Sequence, residues 1–147
     1  MARVTEKDPP VSAARSRNMA AIKGKNTKPE LLVRSWLHRN GFRFRLHRKD
    51  LPGKPDIVLP KYKTVIFVHG CFWHSHGCKN SVLPKIRRVF WENKLNDNAR
   101  RDVRMKRAIR ELGWRTFVVW ECELRTKPDQ IARRFMARLN VLAAPQR

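Results

Sequence analysis

Residues 55–69 read PDIVLPKYKTVIFVH, and this stretch decides the fold. It contains two β-branched apolar runs, residues 57–59 and 64–68, separated by a short linker that begins with proline. Upstream, residues 42–46 alternate apolar and basic side chains, as a half-buried strand does. The three segments together predict an antiparallel three-stranded core.

Helical patterns flank these strands. Thr27-Lys28-Pro29-Glu30 has the spacing of a capping box and begins the first helix. Two further helices are predicted at residues 85–95 and 98–112, the second begun by an Asn-Asp-Asn sequence. A buried strand at 114–120 and a last helix to about residue 142 complete the order αβββααβα. This order predicts an α/β domain with a mixed β-sheet flanked by helices.

The chain is long enough for one hydrophobic core. We expect a single domain at residues 26–142, a basic flexible arm at 1–25 and a C-terminal tail at 143–147. Because no run of about 18 apolar residues occurs, no membrane span is predicted. The polar, proline-containing N-terminus does not resemble a secretory signal, so we expect a cytoplasmic protein.

Charge points to the class of partner. The sequence has 34 Lys plus Arg against 12 Asp plus Glu, a formal net charge of +22. Self-repulsion of this size opposes folding unless a polyanion neutralises it. A lipid surface is disfavoured, because the chain has no obvious lipidation motif and its positive charge is spread along its whole length. The composition therefore predicts a nucleic-acid partner and binding that weakens steeply with salt.

The cysteines suggest a metal site. Cys71, Cys78 and Cys122 can join one histidine around a tetrahedral zinc ion, and a closed four-ligand set is typical of structural zinc. An odd number of cysteines and a reducing compartment disfavour disulfides. Spacing leaves His74 and His76 equally plausible as the fourth ligand. Three unrelated thiols remain the alternative, since Cys122 lies far along the chain.

A second set of residues suggests hydrolysis. Asp56 directly precedes a hydrophobic strand, where a carboxylate suits Mg²⁺ and phosphodiester chemistry better than packing. A surface aspartate that caps a turn is the alternative. His69 ends the other strand of the hairpin and should lie at the same sheet end, and His74 nearby could accept a proton from an attacking water. Glu30 either caps the first helix or supplies a second acidic group.

Three aromatic residues are candidates for contact with DNA bases. Phe72 and Trp73 are adjacent, so at least one is expected to be exposed, and Trp91 lies among basic residues. An exposed aromatic ring can insert between base steps at a cost of a few kcal/mol. By contrast, Trp120 fits an apolar stripe and is predicted to belong to the core.

Several longer strings of the sequence can be compared with known families. They are residues 16–19 (SRNM), 22–30 (IKGKNTKPE), 51–56 (LPGKPD) and 65–74 (VIFVHGCFWH), followed by segments at 90–91, 98–102 and 112–122. These strings resemble the very short patch repair (Vsr) endonucleases, which are bacterial DNA mismatch endonucleases. The Gly-Cys-Phe-Trp-His string is highly specific, and the similarity covers nearly the whole chain except its tails. The resemblance implies a restriction-endonuclease-like fold. It also implies Mg²⁺-dependent nicking of one strand at a thymine–guanine (T:G) mismatch left by deamination of 5-methylcytosine.

The same resemblance implies roles for individual residues. Asp56 and the backbone carbonyl of Val68 would hold Mg²⁺, and His74 would be the catalytic imidazole, supported by His69 and Glu30. Zinc is assigned to Cys71, His76, Cys78 and Cys122. The wedging aromatics match Phe72, Trp73 and Trp91, and Asp102 matches an acidic position near the site. One departure is Val68, where better-known members carry threonine, so any role of that hydroxyl is lost.

The resemblance also implies partners and location. The substrate would be double-stranded DNA with a T:G mismatch, mismatch-repair proteins would be candidate partners, and we expect a monomer associated with the bacterial nucleoid.

Two other hypotheses stay open. The chain could be a zinc-stabilised DNA-binding protein without catalysis, or a nuclease of the same fold that cuts a different DNA.

Overall fold

The computed structural model describes residues 26–74, 76–78 and 81–143. The predicted basic arm, residues 1–25, lies outside the described residues, and so do residues 144–147 of the predicted tail. Within the described ranges, no helix is both long enough and apolar enough to cross a membrane.

A four-stranded sheet forms the centre of the domain, in the order β1-β2-β3-β4. The strands are β1 (Arg45–Leu46), β2 (Ile57–Leu59), β3 (Thr64–His69) and β4 (Arg115–Trp120). β1, β2 and β3 pair antiparallel, as the sequence predicts, whereas β4 runs parallel to β3. The predicted mixed sheet is therefore confirmed. The first strand is shorter than the predicted 42–46, since only its last two residues pair with β2.

In the described part of the chain, four α-helices surround the sheet. They are α1 (Lys28–Arg39), α2 (Arg88–Glu111), α3 (Glu121–Thr126) and α4 (Pro128–Ala143), and a 3-10 turn at Pro60–Tyr62 joins β2 to β3. The prediction of two helices at 85–95 and 98–112 is wrong, because α2 is continuous. The Asn-Asp-Asn sequence at its middle does not cap a helix: Asn98 donates instead to the carbonyl of Trp73, 3.2 Å away.

The sheet has an apolar core on each face. α1 and α4 cover one face, where Leu37 and Phe135 pack against alternate strand residues such as Ile66 and Phe117. α2 covers the other face, where Ile109 packs against Val65. Because successive strand residues point to opposite faces, β2, β3 and β4 contribute to both cores. The candidate site lies at one end of these strands, beside the two cores.

Candidate active site and cysteine–histidine cluster

An open cleft of about 830 Å³ lies where β2 begins and β3 and β4 end. Antiparallel pairing brings the start of β2 beside the end of β3, and parallel pairing sets His69 opposite Trp120. Asp56, His69 and His74 all line the cleft, as does Asp102 of α2. The structure therefore brings the predicted hydrolytic residues together at one sheet end.

Asp56 is held by the backbone of the neighbouring strand. The amide N–H of Val68 donates to Asp56 Oδ2 at 2.7 Å. Burial, helped by the nearby Glu30 carboxylate, raises the pKa of Asp56 to about 7, even though the Val68 hydrogen bond acts in the opposite direction. A cation beside Asp56 would favour the ionised carboxylate, because it offsets both the desolvation of that charge and its repulsion by Glu30.

Glu30 fits both of its predicted readings. Thr27 Oγ1 accepts the Glu30 N–H at 3.4 Å, which caps α1. The Glu30 carboxylate, which is only 2% exposed, accepts the N–H of Asn26 and a hydrogen bond from Arg34, both at 3.0 Å. Single ligand atoms of Glu30, His47 and Asp56 lie within 4.8 Å of one another. Glu30 therefore lies in the capped first turn of α1, and its carboxylate lies near Asp56.

His69 and His74 form a parallel imidazole stack, with ring centroids 3.7 Å apart and planes inclined by 4°. His74 Nδ1 lies 2.5 Å from Asp102 Oδ2, so the carboxylate accepts the Nδ1 proton and leaves Nε2 free to act as a base. His69 is buried, and its Nδ1 has no hydrogen-bond partner among the described residues. Burial, with smaller effects from His74 and Lys106, lowers the pKa of His69 to about 3. A neutral His69 can stack on His74 without charge repulsion.

The cysteine–histidine cluster comprises Cys71, His76, Cys78 and Cys122, whose ligand atoms lie within 4.8 Å of one another. Cys122 Sγ is 3.4 Å from His76 Nδ1, and Cys122 N–H donates to Cys71 Sγ at 3.4 Å. In a tetrahedral zinc site the histidine nitrogen lies about 2.0 Å and the cysteine sulfur about 2.3 Å from the ion. Two such ligand atoms are about as far from each other as Cys122 Sγ is from His76 Nδ1 here. Burial raises the pKa of Cys71 to about 12, so its thiolate needs a cation beside it. The donor set fits zinc, and the histidine within it is His76.

Phe72, Trp73 and Trp91 meet in one aromatic group, with ring centroids 5.1 to 5.7 Å apart. All three rings are half-buried, so each keeps some exposed area, and Trp73 also lines the cleft. The structure thus gathers the three predicted wedge residues beside the hydrolytic ones.

Basic side chains line the same cleft. Lys54, Arg101 and Lys106 all face it, although no charge pattern singles them out among the chain's 34 basic residues. Arg101 and Lys106 belong to α2, which also supplies Asn98 and Asp102. Residues 98, 102 and 106 are spaced by four, so they share one face of the helix. One helix face therefore carries Asn98, which holds the loop, the Asp102 carboxylate, which pairs with His74, and the Lys106 cation.

Comparison with known proteins identifies the family. The family model described as DNA mismatch endonuclease Vsr matches residues 8–80. A "Type II nicking enzyme V.XorIIP" from Xanthomonas oryzae is 57% identical over 106 residues, which cover 72% of this chain and 78% of that protein. This chain belongs to the Vsr family. The resemblance seen in the sequence is thereby confirmed.

Other Vsr-family relatives agree. The "DNA mismatch endonuclease Vsr" of Escherichia coli is 46% identical over 113 residues, covering 77% of this chain and 72% of that protein. A "Type II nicking enzyme V.NmeAIP" from Neisseria meningitidis is 47% identical over 116 residues, covering 79% and 83%. These relatives carry the names of DNA-cleaving hydrolases, which confirms the prediction of an enzyme.

Sequence reasoning missed three neighbours of the site in this Vsr-family chain: Arg34, His47 and Trp120. Arg34, which binds Glu30, also lies 3.0 Å from His47 Nε2. Trp120 is only half-buried, and its ring partners among the described residues are histidines, so its assignment to the core is wrong. The position of Trp120 opposite His69 depends on strand pairing, which a single sequence does not display.

Proposed function

We propose that this protein nicks one strand of duplex DNA at a T:G mismatch by Mg²⁺-dependent hydrolysis of a phosphodiester. The observation that carries the proposal is the meeting of Asp56 with the His69–His74–Asp102 group in one cleft. The names of the mismatch endonuclease and nicking-enzyme relatives support the substrate and the single-strand outcome. The net charge of +22 supports duplex DNA as the partner.

Asp56 and the Val68 backbone carbonyl would hold Mg²⁺, with Glu30 as the second acid. When bound there, Mg²⁺ would polarise the phosphodiester and stabilise the charge that develops during attack. The Val68 side chain packs on the core that contains Leu37 and Phe117, while its amide N–H holds Asp56. The contact with Asp56 uses only the backbone, so valine in place of threonine is compatible with it.

His74 is the proposed general base. Asp102 holds its Nδ1 proton, so Nε2 can take a proton from water as the water oxygen bonds to phosphorus and the phosphorus–oxygen ester bond breaks. His69 stays neutral and stacks on His74, which orients the imidazole without competing for the proton. Lys54, Arg101 and Lys106 would neutralise phosphates on either side of the cut.

The remaining parts of the proposal concern structure and recognition. Zinc bound by the cysteine–histidine cluster would fix the loop that carries Phe72, Trp73 and His74. The aromatic group of Phe72, Trp73 and Trp91 would insert between base steps at the mismatch, where unstacking costs least. We propose that residues 26–142 form one restriction-endonuclease-like domain, on which residues 1–25 act as a DNA-binding arm.

The proposed setting is the bacterial cytoplasm. There the charge of the chain would keep a monomeric enzyme on nucleoid DNA, and mismatch-repair proteins would be its protein partners.

The test compares end-labelled duplexes that differ only in one T:G or C:G pair. We expect a nick in one strand of the mismatched duplex, dependent on added Mg²⁺ and absent with Asp56→Ala. Equal cutting of both duplexes would assign a different DNA substrate. Binding without any nick, with Asp56→Ala indistinguishable from the wild type, would indicate a DNA-binding protein without catalysis. Mg²⁺ is omitted and not chelated in the control, because a chelator would also remove zinc.

A further inference from the structure

Trp120 lies between the cysteine–histidine cluster and the imidazole stack. Its indole is stacked on His76, with centroids 4.1 Å apart and planes inclined by 13°. The same indole is nearly perpendicular to His69, at 5.1 Å, and to His74, at 6.4 Å. One side chain therefore contacts a zinc-ligand candidate and both imidazoles of the hydrolytic group.

We propose that Trp120 is a positioning residue that fixes His69 and His74 relative to the cysteine–histidine cluster. This inference rests on the proposed function and adds a residue to its site. The indole is a rigid ring with few rotatable bonds and a large contact area. If His76 is displaced, the indole stacked on it moves too, and because the indole also contacts His69, His69 is displaced with it. The C-terminal end of β4 anchors the indole opposite His69.

The loop after β3 explains why such a contact is needed. His74 N–H donates to the Gly70 carbonyl at 3.2 Å, and His76 N–H donates to the Cys71 carbonyl at 3.1 Å. These turns send one imidazole towards His69 and the other towards the thiols. Asn98 holds the Trp73 carbonyl, and Asp102 holds His74 at Nδ1. One hydrogen bond at Nδ1 still lets the His74 ring tilt about that contact, and a small tilt would separate the His69–His74 stack. The stack on Trp120 opposes that tilt.

A role in ordinary core packing predicts different contacts. Val118, two residues earlier on β4 and on the same sheet face, packs against the core of that face. Trp120 is half-buried, and within the described residues its ring partners are the three histidines of the two clusters. Packing alone needs volume, whereas positioning by stacking needs an aromatic ring. Trp120→Leu and Trp120→Phe separate these two requirements.

The first experiment measures three quantities for each variant: the zinc content, the Kd for mismatched duplex without Mg²⁺, and the single-turnover nicking rate at saturating enzyme. We expect Trp120→Leu to keep one equivalent of zinc and its duplex affinity, and to nick about 10- to 100-fold more slowly. Trp120→Phe should recover most of the rate. The matched control is Trp114→Leu at the opposite end of β4, where the indole contacts Arg48 and the core, and its rate should not change.

Three results would overturn the inference: a wild-type rate for Trp120→Leu, an equally slow Trp120→Phe, or a loss of zinc and affinity in parallel with rate.

A second measurement covers the case in which Trp120→Leu does not fold. The sequence has only five histidines, so their ring resonances can be followed by NMR in the wild-type protein while Cd²⁺ replaces Zn²⁺. We expect His69, which is outside the loop, to shift together with His76; a shift confined to His76 would also overturn the inference. This measurement needs no substrate, so it stays informative if the wild type fails to nick mismatched DNA and the proposed function fails.

Discussion

Asp56→Asn should make the folded protein more stable while abolishing nicking. The substitution keeps the size of the side chain and an oxygen that can accept the Val68 N–H, but it removes the charge. Burial and the neighbouring Glu30 make that charge unfavourable in the folded state, as the raised pKa of Asp56 indicates. The proposed Mg²⁺ ligand would therefore lower the stability of the metal-free fold.

The magnitude follows from the pKa of Asp56, which changes from 3.8 in the unfolded chain to about 7 in the fold. A carboxyl whose pKa is raised contributes stability that is fully present below 3.8 and lost as the pH rises through about 7. Each pKa unit corresponds to about 1.4 kcal/mol, so ionised Asp56 costs about 4 kcal/mol at pH 8. About half of this cost is already present at pH 5.5, so the advantage of Asp56→Asn should grow by about 2 kcal/mol between pH 5.5 and 8.

The assay is urea unfolding followed by tryptophan fluorescence, at both pH values, in buffer with neither Mg²⁺ nor chelator. Asp50→Asn is the matched control. Asp50 is exposed and pairs with Arg48, which lowers its pKa. Asp50→Asn should therefore show no increase in stability relative to the wild type as the pH rises. Added Mg²⁺ should stabilise the wild type and leave Asp56→Asn unchanged. An Asp56→Asn protein no more stable than wild type at pH 8, or with an advantage that does not grow with pH, would refute the reasoning.

Three further predictions concern the other parts of the site. Cys122→Ser removes one thiolate from the cysteine–histidine cluster, so metal analysis of the folded protein should find less than one equivalent of zinc; full occupancy would contradict the four-ligand assignment. Asp102→Asn removes the charge that holds the Nδ1 proton of His74, so the single-turnover nicking rate should fall by about 100-fold or more with duplex affinity unchanged, and an unaltered rate would exclude this pairing from the mechanism. Lys106→Gln removes one cation from the cleft, so the slope of log Kd against log salt should decrease by about 1 in fluorescence anisotropy titrations; an unchanged slope would mean that this lysine contacts no phosphate.

Much of the fold could be predicted from short-range patterns. The hairpin of β2 and β3, the strand β4 and the start of α1 at Thr27 follow from β-branched runs and a capping residue. The error at residues 96–98 has a physical cause. Asn and Asp favour helix N-caps, but they also occur within helices when tertiary contacts favour continuation, as the bond from Asn98 to the loop does here.

The sequence by itself determined the chemistry of this protein: the basic charge that requires a polyanion, the thiols and imidazoles that suit zinc, and the Asp56 carboxylate that suits Mg²⁺. These follow from residue type and from spacing along the chain. Spacing left the division of the two histidines open, and the family resemblance implied one division, but only the tertiary structure gives the contacts. It directs His76 to the thiols and His74 to Asp102, and it sets Trp120 between the two clusters. His74 and Asp102 are 28 positions apart in the chain, and His76 and Cys122 are 46 apart. Contacts between such distant residues depend on sheet pairing and helix packing and not on local sequence.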